Sequence, residues 1–103
     1  MDLVVLAVPD CPNFAAMLKH LEQVLPEDAA PPEVRVITTE EEAGRYGMHG
    51  SPTLLINGID PFATPDTTAG VSCRIYRDDD GRTSGAPSVD QLASAFQRAR
   101  QGE

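Results

Sequence analysis

The chain has 103 residues, room for one domain and too few for two. Hydrophobic residues make up 41% and charged residues 23%, an ordinary globular balance, and with no Trp the core must be mostly aliphatic. Acidic residues outnumber basic ones 16 to 8, and the net charge of -8 repels phosphate backbones and anionic lipid, which sets aside nucleic-acid and membrane-surface roles.

Residues 3–8, Leu-Val-Val-Leu-Ala-Val, are continuously apolar and β-branched at Val4, Val5 and Val8, the pattern of a buried strand. The run is too short for a membrane helix and has no charged leader before it, so a cytoplasmic protein is expected. Pro9-Asp10-Cys11-Pro12-Asn13 breaks the pattern. From Phe14 a helical period sets in, with Phe14, Met17, Leu18, Leu21, Val24 and Leu25 on one stripe. Lys19, Glu22 and Gln23 take the other face, His20 borders the stripe as a surface residue, and Pro26 stops the helix. Pro12 is tolerated in a first turn, where its missing N–H costs nothing.

Residues 33–38 predict a second strand after a Pro/Ala/acid loop. A helix between two strands implies a right-handed parallel βαβ unit. Thr38-Thr39-Glu40-Glu41-Glu42 predicts a short helix start, since either Thr has an acid three residues on. Residues 53–57 predict a third strand that ends at Asn57-Gly58. A long loop over 59–71 follows, and loops of that length in a small domain are often functional. Residues 72–77 alternate as a fourth strand, with Cys73 and Ile75 on one face and Arg74 and Tyr76 on the other. Asp78-Asp79-Asp80-Gly81 is a solvated turn. Ser88, with Gln91 three residues on, caps a last helix whose inner face is Val89, Leu92, Ala93, Phe96 and Ala99.

The order is βαβ, α, ββα, and the motifs on it resemble the thioredoxin-like superfamily. Tyr46 to Gly58 is similar to the family's segment leading into its cis-proline strand, where a small residue, Pro and Thr precede an apolar strand. Gly85 to Leu92 resembles the approach to the family's last helix, and Cys11 stands where the family carries its nucleophilic cysteine. The chain also resembles a bacterial group of small thioredoxin-like proteins that share Cys-Pro-Asn (11–13), Gly-Ser-Pro-Thr (50–53), Asn-Gly-x-Asp-Pro-Phe (57–62) and Ser-Cys-Arg-x-Tyr (72–76). Some of that group carry an alkylmercury-lyase-like label. The resemblance implies one α/β domain over 1–103. It would be a thioredoxin fold with a mixed four-stranded sheet and helices on both faces. It also implies a cis bond at Pro52, with the backbone of Ser51 free to pair with an extended thiol substrate.

The chain departs from Cys-x-x-Cys at its fourth position, which is Phe14, so adjacent-cysteine dithiol chemistry is excluded. Cys11 and Cys73 are the candidate catalytic residues. Helix N-termini present unpaired N–H groups and partial positive charge, which favour a thiolate at Cys11. Pro12, His49, Ser51 and Pro52 are the candidate substrate-binding residues, and His49 would assist thiolate formation. Three functions follow as alternatives. The first is thiol–disulfide exchange through Cys11, resolved by Cys73 or an external thiol. The second is soft-metal or organomercurial handling by both thiolates, with Asp60 or Asp10 donating a proton. The third is a non-catalytic binding module. No cofactor is called for, and the expected partner is a thiol or disulfide, protein or small molecule.

Overall fold

In the computed structural model, which describes residues 1–101, the first apolar run forms β1 (Leu3–Ala7). The stripe from Phe14 forms α1 (Phe14–Val24). Leu25 ends it in extended backbone, just before Pro26. β2 (Glu33–Val36) lies parallel to β1, and β4 (Thr53–Ile56) lies antiparallel on β1's other side, giving the order β2-β1-β4. Asn57, at φ 52, and Gly58, at φ 81, turn the chain back so that Ile59 bridges Ile56. Asn and Gly are the residues that take this left-handed backbone at least cost.

α2 (Glu40–Tyr46) starts at Thr39, whose hydroxyl accepts the Glu42 N–H at 3.1 Å. Glu42 reaches back to the Thr38 N–H at 3.1 Å and the Thr38 hydroxyl at 2.6 Å. Those two contacts, the hydroxyl first, hold the Glu42 carboxyl below its ordinary range. α3 (Val89–Gln101) starts with a reciprocal box: Gln91 N–H to Ser88 Oγ at 3.1 Å, and Ser88 N–H to Gln91 Oε1 at 2.9 Å. Its buried face is Leu92, Ala95 and Phe96, whereas Ala93, expected inside, is exposed. No helix among the described residues is long and apolar enough to cross a membrane.

The sheet is covered on both sides. Val5, Leu54 and Ile56 pack with Met17 and Leu21 of α1 and Leu92 and Phe96 of α3. Leu6, on the opposite face, packs with Ile37, Met48 and Ala43 of α2. His20 is half-buried rather than on the surface, because its Nδ1 pairs with the Pro87 carbonyl at 2.7 Å and ties α1 to the lead-in of α3.

The sheet has three strands, and the fourth strand expected over 72–77 is divided. Residues 70–73 form β5 (Gly70–Cys73), parallel to a further short strand, β3 (His49–Ser51). Residues 76–77 form β6 (Tyr76–Arg77), a hairpin with β7 (Thr83–Ser84) around the acidic turn. The break falls at Arg74, which turns inward to meet Asp60. The molecule is therefore mixed α/β, with three helices and three small sheets among the described residues.

Candidate functional site

Cys11 lies in the connection between β1 and α1. Its N–H donates to the Val8 carbonyl at 3.3 Å, and its carbonyl accepts the Phe14 N–H at 3.3 Å. The helix begins at Phe14, so Cys11 stands one tight turn before it, and Pro12 is exposed outside the first helical turn. Asp10 takes φ 58, a left-handed backbone that Asp tolerates better than most residues. Asn13 fills the space beside Gly85, where any Cβ would collide with its amide. The Cys-Pro-Asn loop is thereby seated on the turn before α3.

The Ser51–Pro52 peptide is cis. Ser51 is fully buried, and its hydroxyl accepts the Val8 N–H at 3.0 Å, joining this peptide to the end of β1. Pro52 is also fully buried, with its carbonyl accepting the Tyr76 hydroxyl at 2.5 Å. The free backbone expected at Ser51 is occupied: its carbonyl accepts the Arg74 N–H at 3.0 Å, and Cys73 stands opposite Ser51 in the β3–β5 ladder. The long loop has thus returned Cys73 to the cis-proline edge. Gly50 permits the close approach, with φ 95 and a would-be Cβ only 3.0 Å from the Arg74 Cβ and 3.1 Å from the Ser72 carbonyl. Both thiols are free, Cys11 half-buried and Cys73 exposed.

A buried polar cluster underlies the edge. Asp60, whose side chain is 1% exposed, accepts Arg74 Nη1 at 2.5 Å, His49 Nδ1 at 2.7 Å and the Phe62 N–H at 2.9 Å. Arg74 also reaches the Thr53 hydroxyl at 3.3 Å and lies over the Tyr76 ring at 4.7 Å. Thr53 accepts the His49 N–H at 3.1 Å and donates to the Gly50 carbonyl at 2.6 Å. Burial raises the Tyr76 phenol well above its ordinary range, while the nearby Arg74 charge opposes that rise and the charges of Asp60 and Cys11 add to it. Phe62 meets Tyr76 edge-on at 5.5 Å between centroids.

Of the candidate residues, Cys73, Ser51 and Pro52 meet along the β3–β5 edge, and Cys11 lies in the loop that follows Val8, the residue bonded to Ser51. His49 is turned towards Asp60 and holds the underlying cluster through Nδ1. Asp60 is fully engaged as an acceptor and unsuited to proton donation. Asp10 is exposed beside Cys11. Arg74 and Thr53 carry no functional signal in the sequence, although Arg74 lies in the Ser-Cys-Arg-x-Tyr segment and shares one face of its alternation with Tyr76. Among the described residues no group of three or more His, Cys, Asp and Glu is arranged to hold a metal ion. No protein-family description, curated protein or solved structure matches the chain.

Proposed function

We propose that this chain is a thioredoxin-like thiol-exchange protein in which Cys11 attacks small disulfides rather than extended peptides. The observation that carries the reading is the seating of Ser51 and Pro52, held to the Cys11 loop by the Val8 N–H and already paired along their edge by β5. Support for the thioredoxin relationship comes from a parallel βαβ unit followed by an antiparallel strand that begins just after Pro52, with α1 and α3 on one face and α2 on the other. The segment over 70–77, where that fold would have its fourth strand, is divided, and neither part joins the three-stranded sheet.

The substrate restriction follows from hydrogen-bond accounting. A peptide that adds a strand needs unpaired backbone groups on the edge it joins. The Ser51 carbonyl already accepts from Arg74, and Gly50 is packed against Arg74 and Ser72. A small disulfide needs only the half-buried Cys11 sulfur beside exposed Pro12.

In the first step the Cys11 thiolate attacks one sulfur of the substrate disulfide. A Cys11–substrate disulfide forms, the substrate S–S bond breaks, and the departing thiolate takes a proton from water. The Cys11–substrate disulfide is then resolved by a second thiol. If Cys73 attacks the Cys11 sulfur, the second substrate thiol leaves and a Cys11–Cys73 disulfide remains. If an external thiol attacks the substrate sulfur, a new mixed disulfide leaves and Cys11 is restored as thiolate; a further molecule of the external thiol then splits that mixed disulfide, releasing the second substrate thiol and the oxidised external disulfide.

The test is reduction of hydroxyethyl disulfide and of insulin by wild type, Cys11→Ser and Cys73→Ser, with excess small thiol as reductant. Wild type should reduce the small disulfide and spare insulin, and Cys11→Ser should fall to background. Equal rates for wild type and Cys11→Ser would remove the reading. Retained activity in Cys73→Ser would assign the resolving step to the external thiol.

A further inference from the structure

We propose that β2 is a self-pairing edge, through which two copies of this chain join antiparallel about a twofold axis at Val34. β2 ends the sheet and is exposed along its whole length, with Val34 45% and Val36 54% exposed. The Ile37 N–H donates to the Ala7 carbonyl at 2.8 Å. In a parallel ladder, alternate residues of a strand bond to the same neighbour. Glu33 and Arg35 therefore turn their backbone groups towards β1, while Val34 and Val36 turn theirs outward. An open edge of this kind is a template for another strand.

Charge selects the occupant. Antiparallel pairing centred on Val34 sets Glu33 opposite Arg35 of the second copy, and Arg35 opposite its Glu33. Opposite charges directly across a ladder stabilise it, whereas like charges destabilise it. Centring on Arg35 instead would set that residue against itself. The backbone parity agrees with the charge register. Val34 meets Val34 as a hydrogen-bonded pair, and each Val36 N–H reaches the Pro32 carbonyl of the other copy. Pro32 has no N–H, so the ladder stops there.

The apolar surface is placed to be covered by the same contact. Val34 and Val36 are in register with Val5 and Ala7, so their side chains lie on the α1 side of the sheet. There Val34 continues into a shallow groove lined by Leu18, Leu25, Pro26, Ala30 and Pro32. Glu33 and Arg35 lie on the α2 side, where Arg35 rests over the Tyr46 ring at 4.3 Å and meets its own Glu33 at 3.4 Å. A four-residue ladder of this kind fits a reversible dimer rather than an obligate one.

Sedimentation across protein concentration, combined with amide hydrogen exchange, tests the proposal on the whole chain. Wild type should pass from monomer to dimer with rising concentration. The Val34 and Val36 N–H groups should gain protection as it does, while those of Glu33 and Arg35 stay unchanged. Glu33→Arg lowers the net negative charge, yet should weaken dimerisation about tenfold by setting Arg against Arg. The swap Glu33→Arg with Arg35→Glu keeps the net charge and should restore the dimer. Wild type that stays monomeric up to about 1 mM, a dimer indifferent to Glu33→Arg, or protection that does not alternate would each overturn it. An edge that binds only unrelated peptides would overturn it too. None of these readouts uses thiol activity, so they stand apart from the test of Cys11.

Discussion

Replacing Asp60 by Asn should unfasten the cis-proline edge while keeping side-chain shape. The Asp60 carboxylate is 1% exposed and Arg74 only 10% exposed, with 2.5 Å between them, so solvent does little to screen the pair. Removing one partner of such a pair leaves an uncompensated buried charge and costs about 3–5 kcal/mol. A neutral amide still accepts the Phe62 N–H, bonded at 2.9 Å in the native protein, and loses the ionic contacts to Arg74 and His49. Domains of this size have about 5–15 kcal/mol in all. The variant should therefore lose about a fifth or more of its stability, with a melting point lower by about 12 °C or more. The loss should be local first. Arg74 supplies both the ion pair and the N–H bonded to Ser51, so the Arg74 amide should exchange faster than the amides of β1. Urea unfolding combined with amide exchange measures both effects. A cycle with Arg74→Met isolates the coupling between the partners. An Asp60→Asn variant within about 1 kcal/mol of wild type, or one whose Arg74 amide keeps its protection, would refute the argument that this pair holds β5 in place.

Tyr76→Phe keeps the ring against Phe62 and removes only the donor to the buried Pro52 carbonyl, so it should cost about 1–3 kcal/mol in urea unfolding. Gly50→Ala must fit a Cβ 3.0 Å from that of Arg74 at φ 95, and should lose more than about 1 kcal/mol together with β3–β5 protection. Thr39→Ala removes the cap of α2 and should cost about 0.5–2 kcal/mol by the same assay. The Glu42 carboxyl is held below its ordinary value of 4.5 in the folded chain, so its stabilising effect is present above that value and is lost as pH falls through the lowered one. Thr38→Val should shift the Glu42 titration, followed by NMR, back up towards 4.5.

The helices were legible because each carries its own local signals. The Phe14–Leu25 stripe, the Thr39–Glu42 cap and the Ser88–Gln91 box are visible within a few residues of sequence, and all three recur in the structure. Two helix positions are misplaced: His20, which a carbonyl 67 residues away draws inward, and Ala93, expected inside where Ala95 is, because the burial of two small residues depends on which neighbour lies across the interface. β3 was not legible, since His49-Gly50-Ser51 lacks the β-branched and aromatic residues that mark strands, and pairing alone makes it one. The 72–77 alternation concealed its own break, because an inward Arg continues a period of two as well as an outward one does. Asp60 read as a loop residue, since acids are rarely buried without a partner and its partner lies 14 residues away. Pro52 was expected to be cis only through the family resemblance, because cis bonds are about 5–6% of X–Pro bonds at large.

The buried pair explains why a segment with little apolar content is held so closely. β5 contributes Gly70, Val71, Ser72 and Cys73, of which the last two are exposed, so hydrophobic burial does little to hold it to β3. A buried ion pair is a weak source of net stability, because desolvation offsets most of its attraction. Its effect here is geometric. Asp60 lies at one end of the long loop and Arg74 just past β5, so the pair closes the loop on itself. It sets which residue meets Ser51, and that residue is Cys73. Shifting the segment by one residue would leave the Arg74 charge buried without Asp60, a far larger penalty than the few backbone bonds at stake. The pair thus acts as a register lock, and its placement keeps the second thiol beside the cis-proline edge while denying that edge to an incoming strand.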